Sequence, residues 1–98
     1  MTLRHIALLA TAVVLLESQA GAETCMIHNS GPAGEWKFFR VHDADTGQIV
    51  LQQAIKGGDS RQVEVSKERV TVSSKFPGYR QYSQPIASTC KGGNTVKG

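Results

Sequence analysis

The chain lacks the features that mark several large classes of protein. Its 98 residues include only 3 prolines and 2 cysteines, and aromatic residues make up 6% of the sequence. The 10 glycines follow no period, which excludes a collagen-like chain, and the hydrophobic share of 40% is ordinary for a globular protein. A chain of this length forms one small domain, so a multidomain enzyme is excluded as well.

Long hydrophobic runs are also absent, because none approaches the about 20 apolar residues that a membrane-spanning helix needs. The longest run covers residues 6–16, follows Arg4 and is ended by Glu17. Such a run, with small residues a few positions later, is typical of a secretory signal peptide. We therefore expect residues 1–22 to be a cleaved signal peptide. Residues 23–98 would then form a single periplasmic or secreted domain with no integral membrane segment.

Charge of one sign is not concentrated along the sequence. Residues 23–98 contain ten Lys/Arg and seven Asp/Glu, so the mature domain keeps a net charge of +3. Nucleic-acid binding requires basic residues gathered into a patch or stripe, whereas these are dispersed from one end of the domain to the other. We expect no nucleic-acid partner, while a weak attraction to anionic envelope surfaces or acidic partners stays open.

Two cysteines remain after the signal peptide, Cys25 and Cys90, in a chain destined for an oxidising compartment. We expect them to form one structural disulfide, either across neighbouring strands or between two layers. In the chain-entropy model, a disulfide that closes a loop of this size stabilises the folded state by about 4 kcal/mol. This contribution is large for a domain whose hydrophobic core is so small. A redox pair or a zinc site is disfavoured because Cys-x-x-Cys spacing and a paired-ligand pattern around His28 and His42 are both missing. No cofactor or metal is expected.

Apolar residues in the mature chain recur at intervals of two, and turn sequences interrupt them every 8–12 residues, which is typical of an all-β protein. Six to seven short strands must close into a two-layer sandwich or a small barrel. We expect a small antiparallel β-sandwich of immunoglobulin-like type, as a statement of architecture and not of family. The strands are predicted around Cys25 and Ile27 and over residues 36–43, 48–55, 62–65, 69–76, 86–90 and 95–96.

The same alternation assigns side chains to the core or the surface. Val72 and Phe76 are expected inside, Thr71 outside, and Ile86 on the same face as Cys90. Trp36 is expected in the core because the chain has few large residues to fill an interior, with an exposed patch as the alternative. The strand over residues 36–43 is apolar on both faces, which predicts either a central strand or a bulge between Phe38 and Phe39.

The segment from Asp43 to Gly47 resembles the start of a calcium loop, because alternate carboxylates can converge on one cation. The pattern then fails, since Gln48 and Ala54 stand where an EF-hand has glycine and a bidentate glutamate. We predict a hairpin turn here, with Gly47 in the left-handed conformation.

Signatures of catalysis are equally scarce. The sequence has no Gly-x-Ser-x-Gly elbow and no phosphate-binding loop, and its carboxylates are too few and too scattered to suggest a glycosidase pair. His28 and His42 are the only imidazoles of the mature chain. We therefore expect a protein that is not an enzyme.

The loop from Pro77 to Gln84 contains both tyrosines of the chain, Tyr79 and Tyr82, together with Arg80. Tyrosine and arginine provide large hydrogen-bonding contact areas at modest entropic cost, so this loop is the candidate partner-binding surface. The alternative is that the tyrosines pack over an edge of the sandwich.

These observations favour an exported, non-catalytic binding or accessory module of the bacterial cell envelope that recognises a protein or glycan. The alternatives are a secreted enzyme inhibitor that presents the same loop and, ranked third, a small metal-binding protein or enzyme.

Overall fold

A computed structural model of the chain describes residues 22–98, which form seven strands and no helix. All but the last residue of the expected signal peptide therefore lies outside the described residues. Within residues 22–98, no helix is present that could cross a membrane. The strands are β1 (Glu23–His28), β2 (Trp36–Asp43), β3 (Ile49–Lys56), β4 (Ser60–Val65), β5 (Arg69–Lys75), β6 (Ile86–Thr89) and β7 (Asn94–Lys97).

The strands form two packed sheets, one of three strands in the order β4-β1-β7 and one of four in the order β3-β2-β5-β6. All neighbouring strands are antiparallel except β1 and β7, which run parallel. The predicted β-sandwich is confirmed, and each predicted strand lies within two residues of an observed one. β2 is a central strand, between β3 and β5, and the bulge lies opposite the Val41–His42 step and not at Phe38.

The core lies between the sheets and is built from alternate residues of each strand. Cys25 and Ile27 of β1 and Phe39 of β2 are completely buried, and Val70 and Val72 of β5 face them from the same layer as Phe39. Burying a side chain of this size contributes roughly 1.5–3 kcal/mol. The alternation predicted for Cys25 and Ile27 of β1 and for Val70 and Val72 of β5 is thus confirmed, and it fixes the register of both strands. Ser73 of β5, predicted to face water, is buried instead.

The disulfide Cys25–Cys90 joins the two layers. Cys25 lies in β1 of the three-stranded sheet, and Cys90 directly follows β6 of the four-stranded sheet, with the two Cα atoms 5.0 Å apart. Both cysteines are completely buried. Of the two predicted arrangements, the connection between layers is the one observed.

The loops that follow β1 and β3 are packed against each other by Asn29, which is almost completely buried. Its side-chain amide donates to the carbonyl oxygen of Ile55 at 2.7 Å, and its Oδ1 accepts from the amide of Gly31 at 2.9 Å. Gly57 approaches the backbone of Pro32 so closely that a Cβ atom there would overlap its carbonyl group. These contacts hold this end of the sandwich rigid.

Three residues expected in the core are exposed, so those predictions are wrong. Trp36 is 48% exposed because it begins β2 on the outward face of the sheet. Phe76 is 48% exposed because it lies beyond the last residue of β5. Ile86 is 66% exposed because it lies on β6, an edge strand of the four-stranded sheet. The three-stranded sheet has one strand fewer and does not cover this edge.

We expect Cys25→Ser to lower the free energy of unfolding by about 4 kcal/mol, because the disulfide closes a loop with a sequence separation of 65. Chemical unfolding of the variant, and of the wild type with and without reductant, measures this. A melting temperature that reductant leaves unchanged would contradict the prediction.

Val72→Asp should prevent folding, because it places an unpaired charge in the core beside Val41. The neighbouring Thr71→Asp is the matched control, since Thr71 lies on the opposite face of the same strand and is partly exposed. Circular dichroism of the two purified variants tests the register of β5. Equal damage by the two substitutions would show that the strand does not alternate as described.

Candidate functional site

Aromatic and basic side chains gather at one half of the sandwich, here called the basic end. It is the half in which β1, β3, β5 and β7 end and β2, β4 and β6 begin. Strand register places Trp36 opposite Lys56 and Phe38 opposite Lys75 on the outer face of the four-stranded sheet. The sequence folds this way because β2 is apolar on both faces while its neighbours supply lysine at their last positions.

The segment 77–84 leaves the basic end through a tight turn. Gly78 has a φ of 93°, and the amide of Tyr79 donates to the carbonyl oxygen of Phe76 at 3.1 Å, as a Pro-Gly turn requires. The chain then returns along β5, where the amide of Ser83 donates to the carbonyl oxygen of Ser74 at 2.8 Å. The segment is therefore attached to the sheet at both of its ends.

Tyr82 packs on the outer face of the sheet and is only partly exposed. The guanidinium carbon of Arg40 lies 4.0 Å from the centre of its ring, and the Nζ atom of Lys75 lies 5.0 Å from it. The Nε atom of Arg40 is buried and, among the described residues, has no hydrogen-bond partner, so the ring provides its main favourable contact. Tyr82 thus anchors the segment, as the alternative interpretation of the loop expected.

A groove of about 410 Å³ opens between the end of β5 and the returning segment. Tyr79 and Tyr82 both line it, and Tyr79 is 66% exposed. Arg80 is exposed but is not among the lining residues, so the structure brings two of the three predicted residues together. Lys75 and Phe76 also line the groove and were not predicted for this surface.

Further cations lie over aromatic rings at the basic end. The Nζ atom of Lys37 is 5.3 Å from the ring centre of Phe76, that of Lys56 is 5.6 Å from Trp36, and that of Lys75 is 5.8 Å from Phe38. At exposed sites such contacts are worth about 0.5–1 kcal/mol each and leave the positive charge available to a ligand. Trp36, Phe38, Lys56 and Lys75 could have been found by reading the outward face of each strand as carefully as the inward face. Lys37 and Phe76 could not, because they continue the inward-facing rows of β2 and β5.

Both ion pairs of residues 22–98 lie at the opposite end. Arg69 is 3.5 Å from Asp45, and Lys91 is 3.4 Å from Glu68. The basic end has seven Lys/Arg and two Asp/Glu, whereas the other half has three Lys/Arg and five Asp/Glu. Charges that are dispersed along the sequence are therefore separated by sign in the folded domain. The seven are Lys37, Arg40, Lys56, Arg61, Lys75, Arg80 and Lys97.

Asp43, considered above as the start of a calcium loop, organises the turns at the opposite end. Its Oδ1 accepts from the amides of Asp45 at 2.8 Å and Thr46 at 3.2 Å, and its Oδ2 accepts from the amide of Ser66 at 2.8 Å. Gly47 has a φ of 78°, as the predicted hairpin requires. The carboxylate is therefore used by backbone donors, and within residues 22–98 no group of three or more His, Cys, Asp or Glu side chains is placed to hold a metal ion.

His28 is the imidazole with a polar side-chain partner, since its Nδ1 lies 2.8 Å from the Oγ of Ser60. The two residues face each other across β1 and β4. The contact links β1 and β4 across the three-stranded sheet.

Comparisons of the chain with models of known protein families, with curated proteins and with solved structures find no match.

The carboxyl group of Asp43 makes the stability of the fold depend on pH. Burial alone would raise the pKa of Asp43, but the amides of Ser66, Asp45 and Thr46 together lower it below its ordinary value of 3.8. A carboxyl group whose pKa is lower in the folded chain than in the unfolded chain stabilises the fold at any pH above its unfolded-state pKa. This contribution is lost as the pH falls through its folded-state pKa.

Asp43→Asn should therefore lower stability by about 1–3 kcal/mol at neutral pH, because one buried amide loses its acceptor. The difference from the wild type should shrink as the pH falls below about 3.8, because the unfolded wild-type chain takes up a proton on Asp43 there before the folded one does. Urea unfolding at several pH values measures both effects, with Glu64→Gln on the exposed face of β4 as a control. A difference that does not change with pH would contradict the role assigned to the carboxylate.

Proposed function

We propose that this protein is an exported, non-catalytic binding module of the bacterial cell envelope, which recognises a protein or glycan partner at the groove beside segment 77–84. The observation that carries the proposal is the presence of free positive charge and exposed aromatic surface around one groove. Lys75, Phe76 and Tyr79 line it, and Lys37 lies over the ring of Phe76.

The energetics of recognition support this choice of surface. Aromatic side chains and arginine contribute much of the binding energy in many interfaces, above all when they surround a concavity from which water is excluded. The tight turn fixes the backbone of Tyr79, so little backbone entropy is lost there when a partner binds. The groove provides the concavity, and the seven basic residues of this half favour a partner that carries negative charge.

Export is supported by the buried disulfide, because such bonds form and persist in oxidising compartments. The sequence pattern over residues 1–22 supports it as well. The inhibitor alternative has less support, since segment 77–84 is attached to β5 through Ser74 and Ser83 and lines a concave surface instead of projecting from the fold.

A photo-crosslinking amino acid placed at Gln81, which lines the groove and is exposed, should form covalent adducts with a protein or glycan in bacteria that export the full chain. The same probe at Gln62, exposed on β4 of the other sheet, is the matched control and should form none.

Adding Tyr79→Ala should reduce the yield of adduct at Gln81 by tenfold or more, in the range found for residues that dominate an interface. Because Tyr79 is exposed, the melting temperature should not change. Equal adduct formation at positions 81 and 62, or a yield unaffected by Tyr79→Ala, would place recognition elsewhere on the molecule.

A further inference from the structure

Four large apolar side chains are exposed at the basic end, namely Ile86 at the start of β6 and three aromatic residues. Trp36 and Phe76 are each 48% exposed and Tyr79 is 66% exposed. They come from the start of β2, the end of β5 and the turn that follows it, so they surround the same end of the four-stranded sheet. Exposed apolar side chains that gather in one region of a surface, especially with polar residues around them, mark interaction sites.

Basic side chains are interleaved with these rings. Lys56 lies over Trp36, Lys37 lies over Phe76, and Arg80 follows Tyr79 in the chain and is exposed. The acidic residues of this half are Glu35 and Asp59. An anionic surface approached by this end therefore meets an excess of positive charge, whereas the opposite half carries an excess of negative charge and is repelled.

We propose that the basic end docks on an anionic phospholipid surface, with Trp36, Phe76 and Tyr79 at the level of the headgroups and the neighbouring lysine and arginine side chains on the lipid phosphates. Tryptophan and tyrosine favour the boundary between water and acyl chains, because their rings combine an apolar body with a polar group. Basic residues beside them add attraction to anionic lipids. This inference goes beyond the proposed function and does not depend on it.

The distribution of charge also predicts the orientation. The seven basic residues belong to the half that approaches the lipid, and Asp43, Asp45 and Glu68 lie in the half that points away. The two halves act as the ends of a dipole, so the field of an anionic surface turns the molecule before the rings make contact. Ile49 is also exposed but begins β3 in the acidic half, so it lies away from the docking surface.

Trp36 makes the test direct, because it is the one tryptophan of the chain and lies in the proposed contact. Its fluorescence should shift to shorter wavelength when the full mature chain is mixed with vesicles of phosphatidylglycerol and phosphatidylcholine. Brominated acyl chains in those vesicles should quench it. Vesicles of phosphatidylcholine alone should produce neither change, and high salt should reverse binding to the anionic vesicles.

Arg80→Glu should weaken binding to the anionic vesicles by fivefold or more, since each basic residue near such a surface contributes about 1 kcal/mol. Lys67→Glu changes the net charge by the same amount but lies in the turn between β4 and β5, in the acidic half, and should leave binding within twofold of the wild type. Tyr79→Ser should reduce both binding and quenching, because it removes an inserted ring.

Three results would overturn the inference: no spectral shift with anionic vesicles, a shift without quenching by brominated lipid, or equal loss in Arg80→Glu and Lys67→Glu. Each is separable from failure of the proposed function. Crosslinks from Gln81 to a protein or glycan, combined with no vesicle binding, would support the proposed binding module and contradict docking on a lipid surface.

Discussion

The covalent link between the two layers is the constraint on which the rest of the molecule depends. Cys25 and Cys90 lie in different sheets, both completely buried, so the disulfide fixes the spacing of the layers where the side chains between them are few and small. A domain of this size buries only about 60% of the surface that its unfolded chain exposes, which leaves a thin core. With the layers held together, aromatic side chains are not all needed inside and can lie at the surface.

The two ends of the sandwich use their polar groups in opposite ways. At one end the carboxylate of Asp43 is satisfied by backbone amides, and the neighbouring basic residues are paired with Asp45 and Glu68. At the other end the cations lie over rings, and a rigid backbone is provided by Asn29 and its contacts. Polar groups that are satisfied internally stabilise the fold, whereas those left with solvent and aromatic neighbours remain available for binding.

The sequence predicted the parts of the fold that depend on local pattern. Alternation placed Val70 and Val72 inside, and the order of turn residues predicted the hairpin at Asp43, because both follow from the geometry of a strand and a turn. Trp36 and Ile86 were assigned wrongly because their exposure depends on which strands form the edge and which face stays uncovered. The separation of charge between the two ends was also missed, since the pairing of distant strands, and not order along the chain, gathers those residues.

The parallel pairing of β1 with β7 has a consequence for how the molecule is made. β1 is the central strand of its sheet, and one of its two partners is Asn94–Lys97, the last strand in chain order. The three-stranded sheet therefore cannot close before Asn94–Lys97 has been synthesised, and pairings between segments so far apart in sequence are typical of β proteins that fold in milliseconds to seconds.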